Sequence, residues 1–203
     1  MILLGQYYMP ILGDKDGFNC LVFDRSIDGE YMVAKLTEHS WWLNPFVNSF
    51  AYRLFNEQKR VCWVGDYAQD DDFNFPINTA IHTPNYEEIW GDTVELHSSE
   101  SVDFTLDGKF LINYDTMQFL DLSEYKMLSL GKDCWILHPL PLLTAVGNDR
   151  GFGDFHQGNI GFEFVGIWAW HLLSICDHVP MDFDKINIIF KEERSDSYAK
   201  FGC

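Results

Sequence analysis

Only one stretch of this chain carries a long apolar stripe at helical spacing, and it stands among short apolar runs cut by turn-forming residues. Phe46, Val47, Phe50, Ala51, Leu54 and Phe55 line one face of a 3.6-residue period. Asn44 before Pro45 supplies an N-cap and a first helical position that needs no N–H. The pattern predicts one principal helix over 45–56, ended by Asn56. A chain of 203 residues with a single such helix must build the rest of its core from strands. The expected class is therefore α+β: a single domain over 1–203, with a mixed or antiparallel sheet.

The strands are read from alternation and turn chemistry. Gln6–Leu12, Phe18–Phe23 and Tyr31–Leu36 form a three-stranded meander about the turns Gly13–Gly17 and Asp24–Gly29. Arg60–Val64 is a short buried strand halted by Gly65-Asp66-Tyr67. Lys109–Asn113 and Met117–Leu122 make a hairpin about Tyr114-Asp115-Thr116. Cys134–Leu137 reads as a strand broken by Pro139 and Pro141. Phe164–Cys176, with Trp168 and Trp170 two apart, fits a strand better than a helix, and Ile186–Phe190 closes the set.

Charge is the second constraint. The net charge is -17, and between Arg60 and Lys109 there is no Lys or Arg. Asp66, Asp70, Asp71, Asp72, Glu87, Glu88, Asp92, Glu95, Glu100, Asp103 and Asp107 fall in that gap. The segment 68–108 reads as an acidic insertion or lid, with a short helix opened by Thr83-Pro84 and closed by Gly91. A field of this sign repels nucleic acid and anionic membranes and favours a basic protein partner or a cation. Solubility is the other use of such charge. Trp90 and Phe73 within the segment are aromatic anchors for an interface, or else a small cluster that pins it.

No apolar run reaches the length of a membrane span, and the opening Met1-Ile2-Leu3-Leu4-Gly5 has neither the basic start nor the length of a signal peptide, so a cytoplasmic address in a producing or host cell is expected. Cys20, Cys62, Cys134, Cys176 and Cys203 are odd in number and form no CxxC; the first four, each among apolar neighbours, read as buried free thiols. No His pair has metal-ligand spacing, so neither a metal nor another cofactor is assigned.

Several motifs occur together and in order: Gly5-Gln6-Tyr7-Tyr8, His39-Ser40-Trp41, Asn44, Trp63-Val64-Gly65-Asp66-Tyr67, His138-Pro139-Leu140-Pro141-Leu142-Leu143-Thr144 and Gly147-Asn148-Asp149-Arg150-Gly151. As a set they resemble an uncharacterised family of bacterial and phage proteins that open with Met-Gly-Gln-Tyr-Tyr. The resemblance implies a phage or mobile-element setting and no activity. Phe152 stands where the family's loop resembles a further Gly, and Trp168-Ala169-Trp170-His171 stands where the family resembles Trp-Ala-x-Asp.

The strongest local candidate for chemistry is Gly147–His156. Its glycines let backbone N–H groups approach a ligand, and Arg150 offers a fork for carboxylate or phosphate. Asn148, Asp149, Arg150, Gly151 and Gly153 are the ligand-binding candidates, and Asp154, His156 and Asp66 are acid–base candidates. The alternative is a plain glycine-rich connection. Two functions follow. The first is a non-catalytic acidic protein that binds or inhibits a basic host or defence protein through Asp70, Asp71, Asp72, Glu87, Glu88 and Trp90. The second is a nucleotide-like small-molecule binder or hydrolase built on Asp66 and the Gly147–His156 loop. Scattered acids with a pocket at Arg150 would favour the second, and one acidic face the first.

Overall fold

A computed structural model describes residues 7–15, 22–23, 34–36, 40–42, 44–68, 94–95, 104–129, 138–147 and 162–188. Along these the elements run β1 (Tyr7–Gly13), β2 (Val22–Phe23), β3 (Ala34–Lys35), α1 (Pro45–Arg53), β4 (Lys59–Gly65), β5 (Val94–Glu95), β6 (Phe110–Asn113), β7 (Gln118–Asp121), α2 (Leu122–Ser129), α3 (Pro139–Thr144), β8 (Ala145–Val146), a 3-10 turn (Phe162–Phe164), β9 (Leu172–Cys176) and β10 (Asp184–Lys185). The fold is α+β around a mixed sheet, as the sequence indicates. Its strands lie in the order β10-β7-β6-β9-β4-β1-β3, and β8 joins it beside β4.

Strand β4 organises this sheet. One edge pairs antiparallel with β1, from Tyr8 opposite Gly65 to Gly13 opposite Arg60. Its other edge is shared. Lys59 and Arg60 pair antiparallel with β9, and Trp63 and Val64 pair parallel with β8. Val61, Cys62, Trp63 and Val64 are completely buried, which accounts for an unbroken apolar run where a half-exposed strand would alternate. Cys62 and Cys176 are buried free thiols, as expected, and burial pushes the Cys62 thiol well above its ordinary range. Cys20 and Cys134 lie outside the described residues.

Helix α1 covers one face of β4. The Asn44 carboxamide oxygen accepts from the N–H of Phe46 at 2.9 Å and of Val47 at 3.2 Å, and Pro45 takes the first position. Phe50 meets Trp63 edge-on at 5.5 Å. The helix stops at Arg53, short of the expected 56. The N–H of Ile175 bonds to Leu54 O and the N–H of Asn56 to Ile175 O, so pairing with β9 draws the chain out of the helix. Asn56 then turns it at φ 57.

Five further readings are corrected. Among the described residues the first three strands do not pair as one meander: β3 pairs with β1, and β2 pairs in parallel with β5. Met117–Leu122 is not all strand. Asp121 Oδ1 accepts from the N–H of Ser123 and Glu124, both at 3.0 Å, and this cap starts α2. Pro139 and Pro141 do not merely break the chain; they sit in the first turn of α3, where no intrahelical acceptor exists for an N–H. Phe164–Cys176 is strand only from Leu172. Before it the chain turns at Gly166 (φ +73) and Trp170 (φ +65), and Trp168 and Trp170 reach the core from these turns. The last described strand is Asp184–Lys185, which pairs in parallel with β7; of the expected 186–190, residues 186–188 are not strand and 189–190 lie outside the described residues.

The ends of the acidic segment are built into the core. Ala68 is buried, and Leu106 is 2% exposed. Phe104 packs on Tyr52 and Phe55, and its carbonyl accepts from Asn48 Nδ2 at 2.8 Å. No described helix is long and apolar enough to cross a membrane. The expected strand Cys134–Leu137 and the helix after Thr83-Pro84 lie outside the described residues.

Candidate functional site

The sequence singles out Asp66 and the loop after Gly147, and the sheet brings their starting points together. Strands β4 and β8 run parallel with Val64 opposite Val146, so Gly65-Asp66 and Gly147 leave the sheet at one edge. The carboxyl ends of adjacent parallel strands leave a crevice that their connections do not fill, and ligands bind in such crevices. Strand β1 begins at the same edge. The Asp66 N–H donates to Tyr7 O at 2.9 Å, and the Tyr7 N–H donates to Asp66 Oδ1 at 3.1 Å. Burial raises the Asp66 carboxyl above its ordinary value, and the Tyr7 N–H opposes the rise. Tyr7 itself is 41% exposed, so an aromatic ring stands at this edge.

The position of β8 is set from behind. The His138 Nδ1 accepts from the Leu140 N–H at 3.0 Å and caps α3, whose last turn runs directly into Ala145. The Gly166 N–H bonds to Leu142 O and the Trp168 N–H to Leu143 O. A side chain at Gly166 would begin 2.3 Å from Ala145 O, so only glycine allows this approach. His138 is buried, and burial lowers its pKa to about 3. With Nδ1 accepting, the proton sits on Nε2, which has no hydrogen-bond partner among the described residues; nor has the buried Ser40 Oγ. The two residues are joined by His138 N–H to Ser40 O at 2.8 Å.

Of the other residues named from sequence, Asn148, Asp149, Arg150, Gly151, Gly153, Asp154 and His156 lie outside the described residues. So do Asp70, Asp71, Asp72, Glu87, Glu88 and Trp90. Among the described residues no group of three or more His, Cys, Asp or Glu is placed to hold a metal.

A second polar centre was not read from sequence. At the opposite end of β4, Arg60 is 5% exposed, and its Nη1 donates to Asp115 Oδ2 at 2.9 Å and to Trp170 O at 3.0 Å. Asp115 Oδ2 also accepts from the Leu172 N–H. Asn113, fully buried, lies 2.8 Å from His171 Nδ1 through its Nδ2. Burial lowers the His171 pKa; the Asp115 charge opposes this and the Arg60 charge adds to it. Only the Tyr114-Asp115-Thr116 turn was visible beforehand, because the partners come from elements far apart in the chain.

Comparison with protein-family models, curated proteins and solved structures finds no match.

Proposed function

We propose that this chain is a non-catalytic acidic binding protein, and that it binds or inhibits a basic protein. The observation that carries the proposal is the placement of its charge: eleven acids without a Lys or Arg between Arg60 and Lys109. The described geometry supports it, because the segment holding most of these acids leaves the sheet at Ala68, beside the Asp66–Tyr7 edge, and returns at Phe104 against α1. A recognition segment anchored at both ends in a packed core loses less entropy on binding than a free tail. The phage or mobile-element setting that the family resemblance implies is part of this proposal, and the partner would be a host or defence protein.

The test is association and dissociation kinetics against a basic partner captured from the native cell, at low and at physiological salt. Changing Asp70, Asp71 and Asp72 together to Asn is expected to slow association more than it speeds dissociation, and to weaken the salt dependence. Unchanged rates at both salts would remove these acids from the interface.

A second reading is favoured by one observation, the parallel register of β4 and β8. It starts the Gly147 loop beside Asp66, as a nucleotide-like ligand site would require. A ligand at Arg150 should raise the melting temperature of the wild type and not of a folded Arg150→Ala variant. Nucleotides with and without divalent cations are the probes.

A further inference from the structure

We propose that the seam where β4, β6 and β9 meet is an acid-sensitive latch, closed by the Asn113–His171 contact and opened when that imidazole takes up a proton. The geometry fixes which atoms donate. Asn113 Oδ1 already accepts the N–H of Asp115 at 3.0 Å and of Thr116 at 3.2 Å. The carboxamide therefore turns its Nδ2 towards His171, and a nitrogen that donates needs a lone pair opposite it. His171 Nδ1 must be bare, so the closed latch requires the neutral imidazole with its proton on Nε2.

An imidazolium would set Nδ1–H against Nδ2–H. Rotating the Asn113 carboxamide does not rescue the contact, because it would point Nδ2 at the two turn N–H groups and lose both of their bonds. Proton uptake thus breaks either the His171 contact or the turn that holds Asp115. Among the described residues, the charged groups that face His171 from the elements packed on it are Asp115, from the β6–β7 turn, and Arg60, from β4. Arg60 is bonded to Asp115 and to the carbonyl preceding His171, so loosening either side loosens this tie. Burial disfavours the imidazolium, which keeps the latch closed near neutrality.

The consequence is mechanical. Across the β4–β9 junction the described ladder pairs Lys59 with Leu173 and Arg60 with Leu172, supported by the bridge from Phe55 to Ile175 and by two bonds at Val61, whose carbonyl accepts the Trp170 N–H and whose N–H donates to His171 O. On one side of that junction lie β10, β7, β6 and β9; on the other lie β4, β1 and β3. Opening the latch loosens the Arg60 tie between the first group and the second and leaves backbone pairing to hold the junction. The linkage has one sign: a folded-state pKa below the ordinary value of about 6.5 gives a latch complete above that pH and lost as pH falls below it.

Amide exchange of the full chain, followed by mass spectrometry at about pH 7.5 and about pH 5, tests this. Peptides covering 111–116 and 171–175 are compared with peptides from β1, which report global opening and correct for the intrinsic pH dependence of exchange. The expected result is a several-fold loss of protection at the seam relative to β1 on acidification. His171→Asn places a carboxamide oxygen near the Nδ1 position and cannot take up a proton, so its ratio should stay flat. Asn113→Asp should reverse the slope, since a carboxylate accepts from an imidazolium. A flat wild-type ratio overturns the proposal, as does a His171→Asn slope equal to that of wild type. If Asn113→Asp does not fold, the wild-type and His171→Asn pair still decides.

Discussion

At its first residues β4 is tied by a buried guanidinium, whereas at its last it is held by backbone pairing and by the close approach of Gly166 to Ala145. At the Arg60 end the carboxylate of Asp115 gathers a guanidinium and a backbone N–H, and the side chain of Arg60 is almost wholly withdrawn from water. At the Asp66 end the carboxylate is half-exposed and bonds a backbone N–H, beside an exposed tyrosine. The difference teaches how one strand divides its work. The end whose carboxylate, guanidinium Nη1 and strand N–H bond one another is structural, and the end that relies on shape can present a carboxylate and two departing segments to a partner.

Substitutions that break the shape-held end should have the largest effect. Gly166→Ala forces an L side chain to φ +73 and into Ala145 O, and backbone strain with overlap should cost about 3–5 kcal/mol in a denaturant melt. A loss under about 1 kcal/mol would mean that β8 is not seated by this contact. Arg60→Ala tests the other end. Removing one partner of a buried pair should cost about 3 kcal/mol, and Asp115→Asn, which keeps an acceptor at a half-exposed position, clearly less. Equal losses for the two would place the tie in charge alone.

Acid sharpens the comparison. His138 caps the helix leading into β8, and its pKa is lowered to about 3 from an ordinary value near 6.5. A depressed histidine contributes stability that is complete above the unfolded value and is lost as pH falls towards 3. The slope should approach about 1.4 kcal/mol per pH unit below pH 6, and His138→Asn, which can still cap, should flatten it. The smallest effect is expected at Asp66. Its raised carboxyl carries a penalty present above its folded-state pKa and relieved as pH falls through it. Asp66→Asn should therefore change stability by no more than about 0.5 kcal/mol at neutral pH, with any loss appearing in binding. A larger destabilisation would make this end structural too.

Local chemistry was legible and long-range pairing was not. Asn44-Pro45 and the stripe behind it gave the start and the buried face of α1, because capping and periodicity are contained in adjacent residues. The β6–β7 hairpin was legible for the same reason, its turn residues lying between its strands. Its continuation into α2 was readable too, since Asp121 with Glu124 three residues later is a capping pattern. Trp168 and Trp170 misled because two residues per repeat also arises when consecutive turns each send a ring inward. The parallel contact of β8 with β4, which brings Asp66 and Gly147 to one edge, depends on α3 and on the Gly166 approach, and no local pattern encodes it. The Arg60–Asp115–His171 centre was hidden in the same way, for each of its members reads alone as an ordinary strand or turn residue.

The shared far edge of β4 also fixes the order in which the chain can be assembled. Its near edge can zip to β1 early, but Trp63 waits for Ala145, and Arg60 waits for Leu172. During synthesis, a seven-residue strand with four consecutive buried apolar residues, 61–64, would emerge with one side unpaired until the final third of the protein follows. Contacts this distant in sequence slow folding, and an open apolar edge recruits other chains in the meantime. Ribosome stalling or cleavage before Leu172 would thus yield fragments prone to aggregate, while the completed chain closes that edge with its own later strands.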